Sequence, residues 1–197
     1  MIAPTSRLKF EPIASHHAPL FHRLNADPQV MRYFPAVLSI DETDAFIARI
    51  IHHRARHGYG LEAAFLSATG ALAGFIGLLH AEFDAPFTPA VEIGWRLAPE
   101  FWGQGLAPEG ARAALVSGFE ELRLGEIVSF TACANAPSIR VMEKIGMRRD
   151  PQGDFDHPAL ADNDRLRAHV LYRITARDFR SQEYSAGGPH NDHDRTH

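Results

Sequence analysis

The amino-acid sequence predicts an α/β (α+β) fold in which a mixed, mostly antiparallel central sheet is flanked by helices. Its 197 residues, of which 45% are apolar, suffice for one hydrophobic core. Strand and helix patterns alternate along the chain, with hairpins in the middle and a single β-α-β crossover late. We therefore expect one domain over residues 1–183, followed by a flexible tail over residues 184–197, which lack periodicity.

The strands are predicted from apolar residues that alternate with polar ones, or that form short runs between turn residues. They comprise residues 7–13, 61–67, 71–82, 90–97, 127–134 and 168–175. The helices are predicted from apolar residues at helical spacing and from helix-end residues. They comprise residues 15–25, 39–57, 108–125 and 137–145. The clearest helix start is SIDE, a capping box formed by Ser39 and Glu42.

Composition excludes several classes of partner. The formal net charge is -4, and no basic stripe indicates a nucleic-acid surface. No apolar run approaches the roughly 20 residues that span a bilayer, so no membrane contact is predicted. Cys133 is the single cysteine, which excludes an intrachain disulfide, and we expect it to be a small buried strand residue rather than a nucleophile. A cytoplasmic setting is the resulting expectation.

The segment FWGQGLAPEGARAAL places Gly103 and Gly105 directly before a predicted helix. A dinucleotide-binding motif is excluded because Pro108 occupies the position of its third glycine. A nucleoside-triphosphate loop is excluded because Ala111 and Arg112 replace its lysine and hydroxyl residue. The remaining interpretation is a turn whose backbone N–H groups bind a phosphate without side-chain cations, and the alternative is a tight turn that binds nothing.

Three segments together resemble the GNAT superfamily of N-acetyltransferases. Residues 102–107 resemble its acyl-CoA motif, [QR]-x-x-G-x-[GA], with Trp102 in place of Gln or Arg. NAPSIRVMEKIGM, residues 135–147, resembles N-x-x-S-x-x-V-x-E-K-x-G-[FM] of the branch similar to the ribosomal-protein alanine/serine N-terminal acetyltransferases. EIGW, residues 92–95, resembles the strand before the glycine turn of that branch. The order and spacing of the three matches make the resemblance specific.

The resemblance implies that the protein binds acetyl-CoA as a co-substrate, in a slot between splayed strands, and needs no metal. The backbone of the glycine turn is expected to hold the pyrophosphate. A β-bulge in the preceding strand is expected to pair with the pantetheine arm and to polarise the thioester. The predicted cofactor-binding residues are Trp95, Arg96, Leu97, Trp102, Gly103, Gln104, Gly105, Leu106, Ala107, Asn135 and Ser138.

Direct attack by an amine in a ternary complex is the mechanism that the resemblance implies. An amine with a pKa near about 10 must lose a proton, and Glu92 is the predicted base because the family often places a glutamate on this strand. The alternatives are Glu62, Glu82 and Asp84. Ser138 is predicted to donate to the leaving thiolate, because Met142 occupies the position where many members have tyrosine.

The acceptor pocket is predicted to include Phe34 and Asp156, in loops that supply an aromatic wall and a carboxylate for a cationic amine; loop packing is the alternative. The predicted acceptor is a protein N-terminus or a small-molecule amine. Two alternatives stay open: transfer of succinyl or another acyl group, which requires a basic side chain near the acyl end, and a non-catalytic CoA-binding regulatory module. A homodimer through exposed sheet edges is compatible with this fold.

Histidine spacing does not predict a metal site. His53 and His57 have i, i+4 spacing, but no third ligand is evident, and we expect a solvated helix face. A second group near the C-terminus is expected to bind metal only adventitiously. Its members are His190, Asp192, His193, Asp194 and His197.

Overall fold

The computed structural model describes residues 1–186 of the 197. The strands are β1 (Leu8–Pro12), β2 (Leu61–Leu66), β3 (Leu72–Ala81), β4 (Ala90–Leu97), β5 (Glu126–Ala132), β6 (Arg148–Arg149), β7 (Phe155–Asp156) and β8 (Ala168–Thr175). The helices are α1 (Ala18–Ala26), α2 (Ile40–His57), α3 (Leu106–Val116), α4 (Ala136–Lys144) and α5 (Ala176–Ala186). Within this part of the chain, no helix combines the length and the apolar composition needed to cross a membrane.

One sheet contains all the strands in the order β1-β2-β3-β4-β5-β8-β6, and β7 also pairs with β8. Neighbouring strands are antiparallel except β4 and β5, which are parallel. The parallel pair is joined at Glu92 and Val128, and the two strands diverge beyond it. The predicted mixed, mostly antiparallel sheet with splayed strands is confirmed.

The sheet separates two apolar cores. Helices α3, α4 and α5 cover one side, the α3 face, where Leu115, Met142 and Phe179 are buried. Helices α1 and α2 cover the other side, the α1–α2 face, where Phe21 and Ile47 are buried. Each core has helices on one side and sheet on the other, as expected for an α+β domain.

Strand β4 contributes side chains to both faces because successive residues alternate along a strand. Leu97 is buried in the core of the α3 face. The Arg96 guanidinium stacks on Phe75, a residue of the α1–α2 core. Glu92 and Gly94 lie an even number of residues from Arg96 in continuous pairing with β3, so they share the α1–α2 face with it.

Helix α3 begins at Leu106, earlier than the predicted start at Pro108. Its N-cap is Gly105, whose φ of 77° is a left-handed conformation that glycine adopts without steric cost. Pro108 therefore lies inside the first turn, where a missing N–H removes no intrahelical hydrogen bond. Because the helix begins at Leu106, its free N-terminal N–H groups directly follow the glycine turn.

Helix α5 has no clear sequence signal, because most of its side chains are polar and Phe179 is the one buried in the core. Residues 184–186 of the predicted tail belong to this helix, and residues 187–197 lie outside the described residues. The expectation that Cys133 is buried is wrong: β5 ends at Ala132, so Cys133 falls in the exposed turn to α4.

Candidate active site

Strand β4 has one open edge. Its pairing with β3 is continuous from Ala90 to Leu97, so the bulge predicted at Trp95–Leu97 is absent, and the opening arises instead because β5 diverges after Val128. Gly74 lies opposite Leu97, where a Cβ would clash with the Arg96 carbonyl oxygen. A side chain at position 74 would therefore clash with the main chain of β4.

The main chain of Trp95 faces this opening. The Ile93 carbonyl accepts a hydrogen bond from Ser129 Oγ at 2.9 Å, and the Leu97 carbonyl accepts one from Trp102 Nε1 at 2.8 Å. Both carbonyls therefore point away from β3. Residues two positions apart in a strand direct their backbone groups to the same side, so the N–H and C=O of Trp95 also point away from β3. Its N–H and C=O are available to an extended ligand that lies between β4 and β5.

The glycine turn leads into the N-terminus of α3. Gly103 and Gly105 have φ values of 71° and 77°, and the first backbone N–H groups of the helix have no intrahelical partner. The side chain of Leu106 is buried in the core, so this residue offers only its main chain. Trp102 is 47% exposed at the start of the turn. Together, the N–H groups and the positive end of the helix can bind an anion.

Arg7 is a residue of this site that sequence reasoning missed. It directly precedes β1, and its Nη1 donates to the Gln104 carbonyl at 2.8 Å. Its Nε donates to Glu109 Oε2 at 2.6 Å, so Arg7 neutralises the carboxylate in the first turn of α3. Burial opposes ionisation of Glu109, but hydrogen bonds from Thr5 and Arg7 hold its pKa below the ordinary value. A side-chain cation that was not predicted therefore lies beside the turn, with its charge paired to Glu109.

Glu92 lies where the two strands separate. It is partly buried, and within residues 1–186 its carboxyl makes no hydrogen bond or ion pair. A Cβ built on Gly94 would be 3.9 Å from Glu92 Oε1, so the carboxyl leans along the α1–α2 face toward the open part of β4. Burial raises the pKa of Glu92 to about 8. Such a carboxyl can accept a proton near neutral pH.

The other carboxylates considered as the base are less suitable. Glu62 is buried, accepts a hydrogen bond from the Ile2 N–H, and forms an ion pair with Arg54 at 2.8 Å. Glu82 and Asp84 are exposed beyond the end of β3. Glu92 is therefore the candidate that combines burial, an unpaired carboxyl and a position at the opening.

Asn135 and Ser138 lie at the start of α4, on the β5 side of the opening. Asn135 is the N-cap: its Oδ1 accepts from the Ser138 N–H at 3.3 Å, and its Nδ2 donates to Ser138 Oγ at 3.1 Å and to Thr131 Oγ1 at 2.8 Å. Both Nδ2 hydrogens are thus used, and the predicted contact of Asn135 with pantetheine stays a prediction. The Ser138 O–H has no acceptor within residues 1–186, so it can donate to a ligand.

Comparisons with known proteins decide the family. Residues 7–148 match the family model described as an acetyltransferase (GNAT) domain. The chain belongs to the GNAT acetyltransferase family. It is 34% identical over 130 residues to the uncharacterized protein YkkB of Bacillus subtilis, covering 66% of this chain and 74% of YkkB.

A fungal enzyme and a solved structure are also similar to this GNAT acetyltransferase. The FsC-acetyl coenzyme A-N(2)-transacetylase of Aspergillus fumigatus is 33% identical over 150 residues, which cover 73% of this chain and 63% of the fungal protein. The crystal structure of a GNAT-family acetyltransferase from Bacillus anthracis has a TM-score of 0.74 and 29% identity, covering 90% of this chain and 99% of that one. The predicted family, fold and N-acetyltransferase class are confirmed.

The two residues predicted to bind the acceptor, Phe34 and Asp156, both contact arginine side chains of the acetyltransferase. Phe34 stacks on the Arg96 guanidinium, whose carbon lies 4.0 Å from the ring centre. Asp156 is exposed and forms an ion pair with Arg167 Nε at 3.2 Å, an arginine that also pairs with Asp162. The roles predicted for both residues in acceptor binding stay predictions.

An aromatic cluster near the opening has no counterpart in the sequence analysis. Its rings lie within 6.3 Å of one another in successive contacts along the β5–β8 side of the acetyltransferase. Its members are Phe83, Phe87, Phe130, Phe155, His157 and His169. Burial lowers the pKa of His157 and of His169, which favours neutral imidazoles. The residues come from four separate segments, so no local pattern indicates them.

Two histidine groups of the acetyltransferase already use the nitrogens that a metal would need. His53 Nδ1 faces the Tyr59 carbonyl at 3.1 Å, and His53 Nε2 accepts from the His80 N–H at 2.9 Å. His17 is near Glu11 and His16, but its Nδ1 accepts from the Ala14 N–H, so neutral His17 carries its proton on Nε2. The predicted C-terminal group, residues 190–197, lies outside the described residues.

Proposed function

We propose that this GNAT protein transfers an acetyl group from acetyl-CoA to a primary amine by direct attack in a ternary complex. The observation that carries the proposal is the unpaired carboxyl of Glu92 at the point where β4 and β5 separate. A carboxyl without a partner in a partly buried position has a stabilising role only if a ligand completes it, which favours a catalytic group over a structural one.

The groups around the opening fit acetyl-CoA. The N–H groups that follow Gly103 and Gly105 would bind the pyrophosphate, and Arg7 would offset the negative charge of Glu109 beside it. The open edge at Trp95 would pair with the pantetheine arm, and a free N–H of this edge would polarise the thioester carbonyl. Ser138 would contact the sulfur from the opposite side of the slot. The related fungal protein is named for an acetyl coenzyme A reaction.

The proposed reaction balances with the groups present. The amine nitrogen forms a bond with the thioester carbon while Glu92 takes the proton that the amine releases, directly or through water. The carbon–sulfur bond then breaks, and the thiolate leaves with a hydrogen bond from Ser138. Because a thiol has a pKa of about 8.5, the thiolate is a good leaving group and full protonation by Ser138 is unnecessary.

A panel of amines with acetyl-CoA tests this function by measuring release of free thiol. The panel should hold amino acids, amino-acid amides, polyamines and peptides with free N-termini. Amine-dependent thiol release that saturates with acetyl-CoA is expected; CoA binding without transfer to any amine would favour the non-catalytic module instead. The proposal also includes a cytoplasmic setting. It further includes a homodimer, which size-exclusion chromatography of the full chain tests.

A further inference from the structure

Arg96 carries a positive charge that no carboxylate neutralises within residues 1–186. Its Nη1 donates to Asn25 Oδ1 at 2.6 Å, and its Nε is buried with no hydrogen-bond partner. A guanidinium removed from water is normally paired, because a buried charge or N–H group without a partner costs free energy. The N–H groups of Arg96 are therefore incompletely satisfied in the free protein.

Aromatic rings surround the guanidinium but do not replace an anion. The guanidinium carbon of Arg96 lies 4.0 Å from the ring centre of Phe34, 5.1 Å from that of Phe75 and 5.6 Å from that of Phe46. Such stacking stabilises the faces of a cation, but it provides no acceptor in the plane of the N–H groups. Burial lowers the pKa of Arg96 to about 10, so the side chain remains charged at neutral pH.

The position of Arg96 relates it to the proposed base. Glu92, Gly94 and Arg96 follow one another on the α1–α2 face of β4, on the stretch where the strand edge is open. At about 3.3 Å per residue, the Cα atoms of Glu92 and Arg96 are about 13 Å apart. Gly94 places no side chain between them. A proton acceptor and a cation without a carboxylate partner thus lie on the same face of β4.

We propose that Arg96 binds a carboxylate group of the substrate through the N–H groups of Nη1 and Nη2 that Asn25 leaves free. The inference rests on the proposed function and adds the substrate class to it. Arginine offers parallel N–H groups that match the two oxygens of a carboxylate. A substrate carboxylate would therefore give Arg96 the negatively charged partner that it does not have within residues 1–186. The carboxylate belongs either to the acceptor, as in an amino acid, or to a dicarboxylic acyl group on CoA, such as succinyl.

A purely structural role for Arg96 makes a different prediction. Asn25, its hydrogen-bond partner, lies in α1 and also contacts Thr43 of α2 at 3.4 Å. Loss of Arg96 could therefore loosen both helices and lower every activity together. A ratio of two activities measured on the same protein is insensitive to such general damage, and it is the quantity to measure.

The experiment compares the wild type with Arg96→Gln and Arg96→Lys by thiol release. One ratio is kcat/KM for amino acids over kcat/KM for their carboxamides, with acetyl-CoA as donor. The other is kcat/KM for succinyl-CoA over that for acetyl-CoA, with a carboxamide as acceptor. Arg112→Gln is the matched control, because Arg112 is exposed and donates to the Lys144 carbonyl on α4.

A fall of at least tenfold in the first ratio for Arg96→Gln, with a smaller fall for Arg96→Lys, supports an acceptor carboxylate. A similar fall in the second ratio supports a dicarboxylic acyl donor. Unchanged ratios in Arg96→Gln, or the same fall in Arg112→Gln, would overturn the assignment even if all activities decline. No thiol release with any amine and either donor contradicts the proposed function itself, and the Arg96 assignment fails with it.

Discussion

Glu92 lies opposite Val128, and within residues 1–186 this is the single register pair of the β4–β5 ladder. The pair marks the end of a closed sheet and the start of an opening that extends past Trp95 on one side and toward Ser138 on the other. Because Glu92 is the last paired residue of β4 on this edge, its carboxyl is partly buried and still accessible to a ligand in the opening.

Replacing Gly105 should weaken CoA binding. Gly105 has φ 77° at the N-cap of α3, so Gly105→Val should distort the turn and raise the dissociation constant for CoA at least tenfold in calorimetric titration. Gly70→Val is the matched control, since Gly70 also has a positive φ, of 71°, but lies in the β2–β3 turn. Both variants should lose about 1–2 kcal/mol of stability. An equal loss of CoA affinity in both would contradict the role of this backbone.

Removing the Ser138 hydroxyl should slow the reaction. A hydrogen bond to a charged group contributes about 1.5–3 kcal/mol, so Ser138→Ala should lower kcat about tenfold or more. Thr131→Val is the control, because Thr131 is the other acceptor of Asn135 Nδ2, and its loss leaves the Ser138 hydroxyl in place. A kcat for Thr131→Val as low as that for Ser138→Ala would show that the effect comes from Asn135 and not from the hydroxyl.

The parts of the site that lie close together in sequence were predictable. The glycine turn was visible because Gly103 and Gly105 both need a positive φ directly before a helix, and the structure has φ 71° and 77° there. The capping box of α2 was visible for the same reason: Glu42 N donates to Ser39 Oγ at 3.2 Å, across three residues. In both cases the local backbone geometry requires a particular residue type, so the short sequence pattern alone predicts the local structure.

The parts that depend on distant residues were not predictable. Arg7 reaches the Gln104 carbonyl across 97 positions, and Arg96 reaches Asn25 across 71 positions, so neither contact leaves a local pattern. The bulge expected at Trp95–Leu97 is absent because β4 pairs continuously with β3, and that pairing involves residues distant in sequence. Charge pairing and strand divergence are properties of the assembled sheet.

The free energy of unfolding should depend on pH through Glu92. Its pKa is raised from 4.5 to about 8 in the folded protein, so folding favours the protonated carboxyl, and this contribution is lost as pH rises from about 5 to 8. The stability of the wild type relative to Glu92→Gln should therefore fall over this window by up to about 1.4 kcal/mol per pH unit in urea denaturation. A pH-independent difference between wild type and Glu92→Gln would mean that the carboxyl is ordinarily solvated.

The most direct test of the central claim is the ratio of kcat/KM for the wild type to that for Glu92→Gln as a function of pH. Ionisation of the amine affects both proteins equally, so the ratio isolates Glu92. If Glu92 is the base, the ratio should rise about tenfold per pH unit up to the raised pKa of about 8, and then level at about 10²–10⁴. A ratio that stays flat across this range would contradict the assignment of Glu92 as the catalytic base.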